Sequence, residues 1–409
     1  MVSPLENVTV IEVDSYMAAP SAAALLADFG ATVIKVEPPR GDPARGVGRR
    51  VRLGDDADPA RAAYDFQFDV DNRGKQSVVV DLNTTEGQQV VHRLCETADV
   101  FLNNMLVHRQ ERYGLDSETL LGINPALVHA TLTGYGTEGP EAWRPGYDVT
   151  AFFGRSGLYD AMREGEDGEV PMARTAQGDH TSGLALLAAV LAALRLAEKT
   201  GEGQVVETSL FETAVWTQAC DYAVTSVDQR RLRQLKRTTQ VMPTSNRYPC
   251  GDNKWVVINS LNESDWPKFC QVIDREDWLE EERLSDLRGR FRAMPELVPA
   301  IDEALSVKSR DEWGELFDAA GLIWGPVLGL HEVVVDPQAQ ALGLFPEIDH
   351  PEIGPYPTVA GPIRFRTAEV GPRGPAPEVG AHTREVLHGA GYSDDDINRL
   401  NIAGVVESP

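Results

Sequence analysis

The sequence predicts an α/β protein built on an open, mostly parallel sheet, with a smaller α+β domain set into its second half. Three observations carry that expectation: βαβ alternation from Val8 to Gly136, a change of texture near Asp221, and Pro- and Gly-rich segments after Gly325. The expected division is 1–224 for the large domain with its linker, 225–325 for the small domain, and 326–409 for a return to the large one. A chain of 409 residues exceeds the length at which one core usually keeps growing, so a companion domain is the natural expectation.

The elements follow in order. Val8–Val13 reads as a strand, Ser21–Phe29 as an Ala-rich helix with Pro20 at its start and Gly30 at its stop, and Thr32–Val36 as the next strand. Ser77–Leu82, Glu86–Ala98 and Val100–Leu102 repeat the pattern, with Asn83 and Glu86 in capping-box spacing. Leu127–Thr133 adds a strand that ends in Gly134, Tyr135 and Gly136. The apolar run Leu184–Leu194 is too short to span a bilayer and is expected inside a buried helix, Leu184–Glu198. Arg230, Arg231, Arg233, Lys236 and Arg237 mark a basic, helix-like linker. Arg247–Cys250 and Trp255–Asn259 flank Gly251-Asp252-Asn253 as a short hairpin. Ser309 with Glu312 opens a helix that stops at Gly321, and a late helix covers Thr383–Gly389.

A formal net charge of -25 argues against a nucleic-acid partner and against an anionic membrane surface. Any anionic ligand must therefore meet a local basic patch. Cys95, Cys220, Cys250 and Cys270 form no C-x-x-C pair, which signals neither a disulfide framework nor a zinc site and fits a reducing cytoplasm. No metal is expected. The first residues lack a basic segment followed by an apolar one, so no secretory signal is read.

Four constellations bear on chemistry. Glu37 closes the second strand where a dinucleotide fold keeps an acid, but Asp14-Ser15-Tyr16-Met17-Ala18-Ala19-Pro20 has none of the glycines that admit a pyrophosphate, which disfavours a nicotinamide enzyme. The run from Arg40 through Arg45, Arg49, Arg50 and Arg52 is either a solvated loop paired to carboxylates or a phosphate clamp, with Lys35 and Lys75 as further cations. Gly178-Asp179-His180-Thr181-Ser182-Gly183 precedes the Ala-rich helix. Asp179 there is either an N-cap or an ionised carboxylate nucleophile approached past small neighbours. His180 is either oriented structurally or a base. No G-x-S-x-G elbow is present.

Taken together, segments in order along almost the whole chain resemble the family III CoA transferases. They include Gly30-Ala31-Thr32-Val33-Ile34-Lys35-Val36-Glu37, Gly41-Asp42-Pro43, Asn72-Arg73-Gly74-Lys75, Gly134-Tyr135-Gly136, Pro145-Gly146-Tyr147-Asp148, Gly178-Asp179-His180, Gly201-Glu202-Gly203-Gln204, Gly325-Pro326-Val327 and Gly380-Ala381-His382-Thr383. The resemblance implies a Rossmann-like fold in an interlocked homodimer, and transfer of coenzyme A between acids through an aspartyl intermediate on Asp179. It also implies coenzyme A contacts at Tyr16, Met17, Arg40, Lys75, Val80, Asn104, Met105, Arg112, Gly134 and Tyr135. Where family members often carry Glu-Asn-Phe-x-Pro-Gly, this chain has Asn103-Asn104-Met105-Leu106-Val107-His108, and the glycine-rich loop of formyl-CoA transferase has no counterpart. The α-methylacyl-CoA racemases share the fold but use a His where this chain has Tyr147, and an unperturbed tyrosine pKa of about 10 suits that role poorly. A non-catalytic acyl-CoA binder is the third reading. Phe152, Phe153 and Trp216 either line an acyl pocket or fill core.

Overall fold

Six parallel strands in the order 3-2-1-4-5-6 form the central sheet of the computed structural model, which describes residues 2–48, 50–53 and 63–408. They are β1 (Thr9–Val13), β2 (Thr32–Glu37), β3 (Gln76–Val80), β4 (Val100–Asn103), β5 (Val128–Thr133) and β6 (Gln204–Ser209). β1 pairs with β2 and β4 in parallel, Val10 opposite both Val33 and Val100. This order reverses direction between β1 and β4, which opens a crevice at their carboxyl ends. The sheet is mixed α/β and mostly parallel, as expected.

Strand alternation divides the core into two layers. Val10, Val33, Val100, Leu102, Val128 and Ala130 point to one face, where they meet α1 (Ala18–Asp28) and the long helix α7 (Gln177–Thr200); the helices between those two in chain order are α2 (Phe66–Asn72), α3 (Thr85–Cys95), α4 (Val107–Tyr113), α5 (Ser117–Ile123) and α6 (Leu158–Ala161). Ile11, Val13, Ile34, Val36, Val78 and Phe101 point the other way, onto α3, α5 and the C-terminal helices Thr383–Gly389 and Asp394–Ile402. Strands buried on both faces explain why each reads as an almost continuous apolar run. A short antiparallel strand, Val406–Glu407, closes the sheet at β3.

α1 and α7 pack closely because Gly183 lets them. A Cβ there would stand 2.1 Å from Ser21 Oγ and 2.8 Å from the Ala18 carbonyl. The helix itself begins seven residues before the expected Leu184, with Ala176 at its N-cap in the left-handed region (φ +76°). Asp179 is therefore not the cap but a residue of the first turn. The capping expectation at Asn83 also moves by one: Thr84 Oγ accepts from the Gly87 N–H, while the Asn83 amide donates to Asp81.

The chain divides into two compact units, 1–159 with 172–230 and 340–409, and 160–171 with 231–339. In the smaller unit a three-stranded antiparallel sheet (Ser245–Pro249, Trp255–Asn259, Trp324–Val327) packs against Leu287–Leu305 and Arg310–Ala320. The Ser309–Glu312 capping box and the Gly321 stop are both formed. The basic stretch expected to be helix-like is not: helix Ala219–Asp228 ends at Gln229 in the left-handed region, and residues 230–236 are irregular. An irregular path suits a run of like charges that a helix would stack at i and i+4.

Candidate active site

The crevice between β1 and β4 deepens into a cavity of about 450 Å3. Its walls come from the carboxyl ends of β1, β2, β3, β4 and β5, and Asp179 reaches it from the first turn of α7. Tyr16, Met17, Val80, Asn104, Met105 and Gly134 line it, each a position named from the resemblance. Four others named there do not. Lys75 is buried below, Arg112 stands outside on α4, where it donates to Asn83 Oδ1 at 3.4 Å, Arg40 is exposed, and Tyr135 packs on the core with Arg144 over its ring.

The turn after β1 is shaped from beneath by buried charge. Lys35 Nζ lies 2.9 Å from Glu12, 3.0 Å from Asp14 and 3.0 Å from Asp42, all fully buried. Lys75 Nζ sits 2.8 Å from Glu12 and also donates to the Pro20 carbonyl and Asn72, so this lysine stabilises the turn from inside rather than meeting a phosphate. Burial and the neighbouring Glu12 carboxylate raise Asp14 well above the usual carboxylate range, while the two lysines outweigh burial to hold Glu12 at about 2. Raising Asp14 in this way lessens the negative charge that the two lysines must balance in the low-dielectric interior. Asp42 passes this support upward: its Oδ1 accepts the Tyr16 N–H at 3.2 Å and the Ala44 N–H at 2.8 Å. Tyr16 is held with φ +68°, a conformation rare for a residue with a Cβ.

Across the crevice, the Asn104 amide donates to the Ser15 carbonyl at 2.7 Å and accepts from the Ser15 N–H at 3.2 Å. Gly134 has a packing reason for its size, since its Cβ would stand 2.7 Å from the Gly146 Cα. The Gly136 N–H is already committed to Thr133 Oγ at 2.9 Å. Tyr147, also on the wall, meets Tyr16 edge to face at 5.4 Å between ring centres.

Asp179 itself is partly buried against a second acid. Gly178 packs so tightly on the π-helical turn Asp148–Arg155 that a Cβ would stand 2.6 Å from Phe152 and 3.0 Å from Asp148. Asp148 is 1% exposed, and its Oδ2 has no hydrogen-bond partner among the described residues. Burial first, then the Asp148 carboxylate and Asp71, push the Asp179 carboxyl up to about 7, with His180 opposing. The helix N-terminus does not keep this group fully ionised at neutral pH, as the sequence alone led one to expect; desolvation outweighs the dipole.

His180 faces elsewhere. Its Nε2 lies 2.9 Å from Oδ1 of buried Asp71, and the hydrogen bond raises its pKa despite partial burial. No sequence spacing links residues 109 positions apart. Of the basic run, Arg45 is tied to Glu37 through two 2.7 Å bonds, which also removes Glu37 from any ribose role, and Arg49 lies outside the described residues. Arg109 lines the cavity and went unnamed in the sequence. Phe152 and Phe153 fill core, whereas Trp216 is 79% exposed. Among the described residues no group of acids, histidines and cysteines could hold a metal.

A sequence model described as CoA-transferase family III matches residues 5–383. The chain is 34% identical to (R)-2-hydroxy-4-methylpentanoate CoA-transferase of Clostridioides difficile, over 98% of this chain and 99% of that one. It is 30% identical to cinnamoyl-CoA:phenyllactate CoA-transferase of Clostridium sporogenes, over 96% and 95%. Among solved structures, a CAIB/BAIF family protein from Brucella suis superposes with a TM-score of 0.82 at 28% identity, covering 95% of this chain and 100% of that one.

Proposed function

Since the chain belongs to CoA-transferase family III and is thus a CoA transferase, we propose that it passes coenzyme A from an acyl-CoA donor to a free carboxylic acid through a covalent aspartyl-CoA thioester on Asp179. The observation that carries this reading is the position of Asp179: among the described residues it is the one helix-borne carboxylate that lines the switch-point cavity, which Met17 and Gly134 also line. A carboxyl at about 7 is ionised in a large fraction of molecules at neutral pH and is more basic than a solvated aspartate.

In the reaction proposed, an Asp179 oxygen attacks the thioester carbonyl carbon. The C–S bond breaks, leaving a mixed anhydride and a CoA thiolate. The thiolate attacks the aspartyl carbonyl, forming a new C–S bond and expelling the donor acid as its carboxylate. The acceptor carboxylate then attacks the aspartyl thioester, giving the second anhydride and releasing thiolate, which attacks the acceptor carbonyl and frees Asp179. No proton is gained or lost overall, and the thioester is conserved without nucleotide. Backbone N–H groups of the first turn of α7 steady the charge that develops on oxygen.

Coenzyme A enters over the wall formed by Tyr16, Met17, Val80, Asn104, Met105 and Gly134, and Arg40, Arg109 and Arg112 supply cations for its phosphates at the rim. The relatives named above support an apolar 2-hydroxy acid, branched or aryl, as one substrate. A homodimer is also proposed: helix Ala219–Asp228 buries no residue in the single chain, and Trp216, Val227 and Met172 are 79%, 83% and 72% exposed. A second copy would cover that surface. A cytoplasmic location completes the proposal.

The reading is tested by mixing acyl-CoA donors with free acids in the absence of nucleotide and following thioester exchange by mass spectrometry. Turnover that requires an acceptor acid supports it. Exchange of an α-proton with deuterated solvent and no acceptor dependence would point to a racemase instead.

A further inference from the structure

The turn of α7 that carries Asp179 also borders a second cavity, of about 500 Å3, which the chemistry above leaves unused. Met17 lines both cavities. Asp179 opens onto the first and His180, its neighbour, onto the second. The second is walled mostly by apolar groups, among them Ala24, Leu25, Val70, Leu184 and Val359. Its polar side includes Ser21, Gln67 and the His180–Asp71 pair, Asp71 being 4% exposed. Arg73 also reaches this wall but is spent on Asp28 at 2.7 Å and on the Val359 carbonyl at 2.7 Å.

We propose that this cavity is the acid subsite: an apolar, branched or aryl substituent lies among Met17, Leu25, Val70 and Leu184, while the free carboxylate is received by His180 before it attacks at Asp179. Three observations converge on it. A mostly apolar chamber of this size suits the body of a small organic acid, and a polar side that carries the cationic partner of Asp71 suits the head. With Nε2 given to Asp71, Nδ1 is the nitrogen left to donate, and Asp71 and Asp179 both favour the imidazolium while Arg73 opposes it. Asp179 and His180 are also consecutive on the same turn and Met17 lines both cavities, so the route from the His180 side to the reacting carboxyl is short. His180 is thereby a binding residue for the acid and not a base, as no step requires a proton to be removed.

The inference rests on the CoA-transferase reading and is tested in one assay that separates the two. Transfer from acetyl-CoA to labelled acetate, to 4-methylpentanoate and to 3-phenylpropanoate is measured for the wild type and for Leu184→Trp, Val70→Phe and His180→Gln. Filling the chamber by either bulky substitution should lower kcat/KM for the two larger acids by about tenfold or more and leave acetate within about threefold. His180→Gln, which retains a hydrogen bond to Asp71, should raise KM for all three acids by about tenfold while KM for acetyl-CoA stays within about twofold. Equal losses for all acids in both chamber variants, or no change for the larger acids, would overturn the inference and indicate that the chamber holds something else, such as a side chain of a second copy. An unchanged KM for the acids in His180→Gln would remove His180 from the subsite. A wild-type protein that transfers to none of the acids would overturn the transfer reading, and the inference with it.

Discussion

Asn104 and Ser15 hold the two loops of the switch point together by a reciprocal pair of hydrogen bonds, the Asn104 amide donating at 2.7 Å and accepting at 3.2 Å. The loop after β1 carries Tyr16 and Met17 and the loop after β4 carries Met105, so this one side chain ties two walls of the cavity together. Asn104→Ala should cost about 1–3 kcal/mol in chemical denaturation, because two backbone groups lose their partner. KM for the CoA thioester should rise severalfold with a smaller change in kcat.

Lys35 is the keystone of the buried charge set under the same loop. Lys35→Met fits the volume but leaves Glu12, Asp14 and Asp42 with Lys75 alone. The loss should be about 3–5 kcal/mol at pH 7, read from urea midpoints, and should shrink toward pH 4 as the orphaned acids take up protons.

Gly178 is needed for its missing Cβ and not for backbone freedom. Gly178→Ala would place a methyl 2.6 Å from Phe152 and force the first turn of α7 away from Asp148. A stability cost of about 1–3 kcal/mol and a fall in kcat larger than any rise in KM are expected. Gly183→Ala, which meets Ser21 and Ala18 instead, should cost stability too and spare kcat in the folded fraction.

The raised Asp179 carboxyl predicts two pH dependences. The single-turnover rate of the donor half-reaction should climb through about pH 7 as the nucleophile ionises. Stability runs the opposite way. Below the unfolded value near 3.8 the group is protonated in both states; as pH rises from there to about 7 only the unfolded chain releases the proton, so stability falls, and above about 7 the loss is complete. Asp179→Asn should therefore be more stable than the wild type at pH 8, by on the order of 2 kcal/mol once partial solvation of the carboxyl is allowed for, and equal to it near pH 3.5.

Much of this frame is written locally. The sequence places strands β1 to β5 to within two residues at every end because a strand buried on both faces is a short apolar run, mostly bounded by polar or turn-forming residues. Asp179 drew notice because Gly-Asp-His stands before an Ala-rich helix. What the residues around it do was not legible, because each partner comes from far along the chain. Asp71 reaches His180, Asp148 crowds Asp179, and Lys75 turns inward to Glu12. The helix start is hidden in the sequence because Ala176 adopts a left-handed conformation with no signal such as Gly or Asn. The small glycines 178 and 183 were assigned to substrate access, whereas both are consumed by contacts of α7 with its neighbours. Residues 160–171 join 231–339 only through folding, which no composition shift announces.

The site of the covalent adduct decides between Asp179 and every other carboxylate. The protein is incubated with an acyl-CoA donor alone, quenched, reduced with borohydride and digested, and the modified peptide is located by mass spectrometry. Reduction should convert the Asp179 side chain to the alcohol, with no such change in Asp179→Asn and no CoA transfer by that variant. Transfer that persists in Asp179→Asn, or a reduced residue elsewhere in the chain, would contradict the Asp179 assignment.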